Sequence, residues 1–538
     1  MAMLDPLATL RCYPSHDHTV IGMLTCRVAT APDRTFVEDG DRRLTYHAFQ
    51  TEVRAAALKL RQAGCAHGDR VILVAPASIE FLVLAFAAWH AGLIVVPVNP
   101  DLTADEARYL FQKSEPRLVA SMPDSLEVVS LLASELERSP VSWVFGQSFS
   151  VPLAPSATPA EMPKGGPDDT GIVIFTSGTT GLPKGVMHAQ RTFVTTGEAF
   201  VGRMQLQPDD RMLCVLPFFH VNALFYSLAG ALAAGCTLVL GGRFSASGFW
   251  PLVHRTRATQ VNLIGVIGKI LALRPPEEFV AGHSLDRVYC APLAQDVKDA
   301  FVQRFGVPAI CEGFGMSEIP GVTSQPMDDR QEIGTMGPES RHPDGRRLST
   351  CRIVDDAGRD VPEDSPGRFL VKTELLMQGY FREPQLTLKA FVDGWFATGD
   401  IVRRNARGNY VFVARDKDLI RRRGENISAV ELDQIVMRHP GIAEAAAVAV
   451  PSPVGEDDIL LVAVRRKNAS LTEAELHVWC TNTLSAVKVP RFVTFVAALP
   501  YNSSHKVQRF KLAGDSELLA HAVDFERRGK PASAARGR

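Results

Sequence analysis

The sequence predicts a large N-terminal α/β domain of layered sheets and helices, followed by a small α+β domain. Three observations predict it. At 538 residues the chain exceeds the length at which a single hydrophobic core stops growing. Helical and strand patterns alternate up to about residue 310, which argues for helices packed on sheets. After about residue 415 the pattern becomes one helix, two strands, another helix and a short strand. The expected division is therefore 1–415 for the large domain, 416–515 for the small one, and 516–538 for a tail. That tail ends in ERRGKPASAARGR, basic and poor in apolar residues, and is expected to be disordered.

Individual elements follow from local chemistry. Phe81 to Pro100 is a long uncharged run. Gly92 and Pro97 divide it into a helix-like half, FLVLAFAAWHAG, and a strand-like half, LIVVPV. A buried helix-to-strand connection explains this better than a membrane span. Asn222 to Ala234 reads as a helix stopped by Gly235, with a strand from Cys236 to Leu240. Gln295 to Phe305 carries Val297, Ala300, Phe301 and Phe305 at helical spacing, and Gly306 ends it before the strand-like PAIC. Pro152 to Pro167, rich in Pro, Ala and Gly, reads as a connector.

Composition narrows the class. With 46% hydrophobic and 22% charged residues the chain has the profile of a soluble globular protein. A formal net charge of -1 supplies no global attraction to nucleic acid or anionic membrane, so any anion site must be local. Nine dispersed cysteines without a CxxC pair read as free thiols in a reducing compartment. Met1 to Val20 lacks the apolar core of a secretion signal. The expected location is the cytoplasm, and oligomeric state stays open.

The sharpest feature is GIVIFTSGTTGLPKGVMH, from Gly171 to His188. Ile172 to Phe175 is a buried-strand signal. Thr176 to Gly185 then supplies three glycines, four hydroxyl side chains and Lys184. Glycines let backbone N–H groups approach phosphate oxygens, hydroxyls add donors, and the lysine adds positive charge. Thr176, Ser177, Gly178, Thr179, Thr180, Gly181 and Lys184 are the candidate phosphate binders. The loop lacks the G-K-[ST] ending of a Walker A sequence, which disfavours P-loop kinases and GTPases.

TSGTTGLPKGV resembles the signature of the adenylate-forming superfamily, which includes acyl-CoA synthetases, peptide-synthetase adenylation domains and luciferases. The likeness covers roughly residues 30 to 515, because further motifs follow in the family's order. GENISAVELDQI and KVPRF are most similar to the acyl-CoA ligase branch. The resemblance implies an acid–thiol ligase that uses Mg²⁺ and ATP, forms an acyl-adenylate and passes the acyl group to coenzyme A.

Other roles come from the same resemblance, residue by residue. In PFFHVNAL, His220 is the candidate gate between the acyl and thiol channels; taken alone it reads as a core histidine. No aspartate for an α-amine stands there, which argues against amino-acid substrates. EGFGMSE places Gly313, Phe314, Gly315, Met316 and Ser317 around the adenylate and Glu318 on the metal, a hard cation suited to a carboxylate plus phosphates. Asp400, in TGD, would accept from the ribose hydroxyls, with Arg415 beside it and Lys417 as the interdomain hinge. Arg421, Arg422, Arg423 and Gly424 would meet coenzyme A phosphates, though three arginines also read as a solvated face. Asn222, Gly265, Gly268, Ala291 and Pro292 would line the acyl pocket. The two small glycines there predict a roomy, apolar space. Ser428 and Glu431 form a capping-box pattern at a helix start.

Lys506, in YNSSHKVQRF, matches the family's catalytic lysine. It would bridge the substrate carboxylate and the α-phosphate. Here His505 stands where the family has glycine. If that position needs positive φ, the strain is about 1–3 kcal/mol, and a displacement of roughly 1 Å costs on the order of a hundredfold in rate. Two alternatives therefore stay open: an enzyme performing only thioester formation on a preformed acyl-adenylate, and a catalytically silent nucleotide-binding protein.

Overall fold

The computed structural model describes residues 4–145, 165–176, 182–328, 330–416, 419–422, 425–452, 457–501 and 507–526. The chain forms two compact units. One comprises residues up to Cys351, Val371–Phe396 and Arg407–Val411; the other comprises Arg352–Leu370, Ala397–Ala406 and the residues from Phe412 onward.

Two seven-stranded sheets build the first unit. One runs, edge to edge, through Ala309–Cys311, Arg287–Ala291, Gln260–Ile264, Arg211–Cys214, Thr237–Leu240, Thr35–Asp39 and Arg42–Thr45. It is parallel except for its last strand. The other runs through Gly379–Tyr380, Lys184–Ala189, Thr170–Thr176, Ile94–Val98, Arg70–Val74, Leu118–Ser121 and Val141–Val144. Its first three strands pair antiparallel and the rest parallel. Layered α/β architecture is thus present as expected.

The uncharged run of residues 81–100 belongs to the helix Ile79–His90 and the strand Ile94–Val98, joined through Gly92 at φ 70°. Ten of the helix's twelve residues are buried, because core lies on all its sides rather than on one stripe. Among the described residues no helix is long and apolar enough to cross a membrane. The segment from Asn222 starts as a π-helix to Leu228, continues as an α-helix to Ala234, and stops at Gly235 with φ 68°. Gln295–Asp299 likewise passes into a π-helical stretch, Ala300–Arg304. Such wide turns recur at functional sites.

In the second unit the strands Ile442–Pro451, Asp457–Arg465, Phe492–Phe495 and Val523–Asp524 form one sheet. The helices Ala429–Val436 and Glu473–Thr483 contribute Leu432, Val436, Leu476 and Cys480 to the core they share with Ile459, Leu461 and Val493. Three expectations need correction here. A hairpin, Leu419–Arg422 with Glu425–Ser428, precedes the first helix and carries no sequence signal of its own, because arginines and a glutamate interrupt its alternation. Residues 516–524 are not a disordered tail: Ser516–His521 is helical and Val523–Asp524 completes the sheet. Long-range charge pairing explains why composition misled: Arg491 holds Asp524 at 3.0 Å and Arg422 meets Glu526 at 3.3 Å. Finally, the capping box at Ser428 is half made. The Ser428 hydroxyl accepts from Glu431 N–H at 3.2 Å, but the Glu431 carboxylate takes Lys488 at 2.8 Å.

Candidate active site

The strand Thr170–Thr176 is an apolar run with Ile172, Val173 and Ile174 at most 2% exposed. It leads into the phosphate-loop residues and returns as Lys184–Ala189, with Thr176 opposite Lys184 in the ladder. The strands on either side of the loop residues therefore pair antiparallel with each other, unlike the strand-to-helix turn of a dinucleotide fold. Ser177, Gly178, Thr179, Thr180 and Gly181 lie outside the described residues; Thr176 and Lys184 frame them. The indole N–H of Trp89 donates to Gly171 O at 2.7 Å and fixes the strand's entry.

Lys184 and Glu318 belong to one cluster through a residue that no motif marks. Tyr380 lies on the short strand Gly379–Tyr380, opposite Val186. Its hydroxyl donates to Glu318 Oε1 at 2.8 Å, and the Lys184 ammonium stands 5.3 Å from its ring centre. Burial and the neighbouring carboxylate push the phenol well above its usual range, so it remains a donor.

Gly313 to Ser317 follow the edge strand Ala309–Cys311, at the carboxyl end of the parallel sheet. In parallel α/β sheets this is the end where ligands bind. Two glycines are needed for close approach. A Cβ at Gly313 would collide with Thr323 O, and one at Gly315 would stand 2.5 Å from Gly321 N. Phe314 pairs through its backbone with Val322 and Thr323, and Met316 with Ile319. Three further residues hold this turn from below. Tyr289 donates to Gly313 O at 3.0 Å, and Arg203 donates to Thr323 O at 3.2 Å. His188 Nε2 donates to Ser317 O at 2.6 Å; burial lowers the pKa of that imidazole to about 4, so it is neutral at physiological pH. None of the three lies in a recognisable motif except His188, which ends the phosphate-loop signature.

His220 is exposed and packs edge-to-face on Phe219, with ring centres 4.8 Å apart. The core-histidine reading is therefore wrong for it. Asn222, at the start of the π-helix, has its side-chain oxygen buried without a hydrogen-bond partner among the described residues.

The expected roominess beside Gly265 and Gly268 is not found. A Cβ at Gly265 would stand 2.6 Å from Pro292 O, and one at Gly268 would stand 2.8 Å from Cys290 Sγ. These glycines let the helix Gly265–Leu273 close onto the strand end at Ala291; the space their missing side chains leave is already filled. Beneath that junction the Glu312 carboxylate accepts from Leu293 N–H at 2.9 Å, and burial pushes its pKa up to about 8.

Glu312 makes stability fall as pH rises. Its unfolded value is near 4.5, so between 4.5 and about 8 the unfolded chain sheds a proton that the folded chain keeps. Glu312→Gln should be as stable as wild type near pH 4.5 and more stable at pH 8, by about 4 kcal/mol. Thermal melting at both pH values checks this; a constant gap across the range would refute it.

In the second unit the Asp400 carboxylate is fully buried and meets Arg415 at 2.9 Å. The two residues expected at one ribose are thus partners within one unit. Arg421 is exposed, 3.8 Å from Asp416. Arg422 is not available to a coenzyme A phosphate: it is 5% exposed, pairs with Asp458 at 3.3 Å and donates to Val487 O and Val489 O. Arg423, Gly424, the hinge candidate Lys417, His505 and Lys506 lie outside the described residues.

Residues 24–381 match the family model described as AMP-binding enzyme, and 431–506 match the AMP-binding enzyme C-terminal domain. A sulfoacetate–CoA ligase of Cupriavidus necator is 33% identical over 510 residues, 93% of this chain and 99% of that protein. A crotonobetaine/carnitine–CoA ligase of Escherichia coli is 30% identical over 491 residues, 87% of this chain and 93% of that one. ATP-bound MatB from Rhodopseudomonas palustris superposes with a TM-score of 0.80 at 26% identity, covering 91% of this chain and 98% of its own. With both family models in order and relatives matched nearly end to end, this chain belongs to the adenylate-forming, AMP-binding enzyme family, in its acyl-CoA ligase branch.

Proposed function

We propose that the chain is an AMP-forming acyl-CoA ligase. A carboxylate oxygen of the acid attacks the α-phosphorus of ATP, the bond to pyrophosphate breaks, and an acyl-adenylate results. The sulfur of coenzyme A then attacks the acyl carbon, the carbon–oxygen bond to AMP breaks, and AMP leaves with a thioester formed. The observation that carries this reading is Glu318, fixed by Tyr380 to the strand that leaves the phosphate loop. Relatives of this architecture are named as ligases that join acids to coenzyme A.

Roles follow. Thr176 to Gly181 and Lys184 hold the phosphates, and Gly313 to Ser317 hold the adenylate. Asp400 and Arg415 take the ribose, His220 gates the thiol, and Asn222, Ala291 and Pro292 border the acid. Arg421, Arg423 and Gly424 meet coenzyme A. Lys506 bridges the carboxylate and α-phosphate, and Lys417 is the hinge.

Mg²⁺ fits the donor set. Glu318 offers one anchored carboxylate, and no group of three His, Cys, Asp or Glu side chains forms a metal cage among the described residues. A cation that keeps waters and substrate phosphates as ligands needs no more. When bound, it supplies charge neutralisation to the phosphates. The nine free cysteines suit a reducing compartment, and we place the enzyme in the cytoplasm.

The test is a panel of acids assayed for pyrophosphate and thioester separately. Both products from ATP, acid and coenzyme A are expected. Thioester from a supplied acyl-adenylate without pyrophosphate from ATP would replace this reading with the second-step enzyme that His505 suggests.

A further inference from the structure

Glu318 is secured from an unexpected direction. Met377 N–H donates to its backbone oxygen at 2.8 Å, and three residues later the Tyr380 hydroxyl takes its Oε1 at 2.8 Å. The same segment is stitched to the strand leaving the phosphate loop. Gln378 N–H donates to Met187 O at 2.9 Å, and Phe381 N–H donates to Gly185 O at 2.7 Å. Thr387 anchors the other side, its hydroxyl accepting from Tyr380 N–H at 2.9 Å. Tyr380 and Glu318 are 6% and 8% exposed, so water does not compete freely for either partner.

We propose that Tyr380 is the positioning residue that couples the metal-facing carboxylate to the phosphate loop. Its hydroxyl claims one oxygen of Glu318 and leaves the other for a cation, while its ring carries the Lys184 ammonium. The inference rests on reading Glu318 as the metal-facing group.

Physical chemistry gives each half a reason. Mg²⁺ demands near-ideal octahedral geometry and takes few protein ligands, so a carboxylate free to turn presents it poorly. A donor fixed on Oε1 removes that freedom, and among the described residues Glu318 Oε2 has no hydrogen-bond partner. The ammonium of Lys184 gains from the negative face of the ring without, among the described residues, a counter-ion that would cancel its charge. Glu318 and Lys184 are thereby held at a set separation by one side chain, which no single sequence motif contains.

The test is calorimetric binding of ATP to the full-length protein, with and without Mg²⁺. Wild type is expected to bind more tightly with the metal. Tyr380→Phe keeps the ring and loses the hydroxyl; it should lose about tenfold of the metal-dependent gain, with metal-free affinity unchanged. Tyr380→Leu should in addition weaken metal-free ATP binding severalfold, by removing the support under Lys184. Glu318→Gln should abolish the metal-dependent gain. A Tyr380→Phe protein with the full metal gain, or one weakened equally with and without metal, overturns the inference and leaves the reading of Glu318 standing. A Glu318→Gln protein that keeps the gain overturns both. Should Tyr380→Phe melt early, Thr387→Val, which releases the backbone anchor of Tyr380, is the second variant, with the same selective loss expected and the same outcomes against it.

Discussion

Lys506→Ala should slow acyl-adenylate formation by about 10²–10³-fold while leaving thioester formation from a supplied acyl-adenylate within about threefold of wild type. The size follows from what a positioned cation does in phosphoryl chemistry. Negative charge gathers on the attacking carboxylate, the α-phosphate and the leaving pyrophosphate. The protein's contribution is almost wholly positional and electrostatic. Removing one preorganised donor from such a site costs about 3–4 kcal/mol. The second step breaks a carbon–oxygen bond, needs no charge at that place, and should not notice the change. Single-turnover pyrophosphate release measures the first step and thioester absorbance the second. Equal slowing of both steps would contradict the assigned role. No change in either would remove Lys506 from the chemistry, the outcome that His505 beside the lysine makes worth testing.

Much of the fold and of the candidate site is legible in the sequence, and the legible part has a common cause. Ile172 to Phe175 announces its strand because a short apolar run leading directly into a glycine-rich loop seldom folds in any other way. Gly92, Gly235 and Gly306 stop their helices or open their turns because positive φ excludes most other residues there. Each of these signals lies within a few residues of the feature it specifies. The illegible part is made by contacts distant in sequence. Tyr380 meets a carboxylate 62 positions away, and Arg203 supports a backbone oxygen 120 positions away. No local pattern marks either. Gly265 and Gly268 misled for the same reason. A missing side chain reads as empty space in sequence, but Cys290 of the strand Arg287–Ala291 and Pro292 just after it come in to fill it.

Charge was the least reliable signal. The run Arg421 to Arg423 reads as solvated or phosphate-binding, because arginine is seldom buried. Alternation along the hairpin decides otherwise: Arg421 faces out at 60% side-chain exposure, and its neighbour Arg422 faces in at 5%. Burial without a partner would be prohibitive. Asp458, Glu526 and two backbone oxygens make it tolerable, and Asp458 is itself shared with Arg491 at 2.7 Å.

Arg422→Ala should therefore cost the second unit about 3 kcal/mol, whereas Arg421→Ala should stay within about 0.5 kcal/mol of wild type. Removal of Arg422 strips Asp458 of one of two cations inside the protein and leaves Val487 O and Val489 O short of a donor. The loss falls at the lower end of what breaking a buried ion pair costs, because Arg491 stays in place. It should also loosen the last strand, since Glu526 loses its 3.3 Å partner and is left with Arg491 at 3.7 Å, one residue after Phe525, whose ring stacks on His477 at 3.9 Å. Hydrogen exchange reports this locally: amides of Asp457–Arg465, Phe492–Phe495 and Val523–Asp524 should lose protection, and those of the first unit should not. Unchanged protection in that sheet, with a raised KM for coenzyme A alone, would return Arg422 to the phosphate-binding role that its sequence neighbourhood suggests.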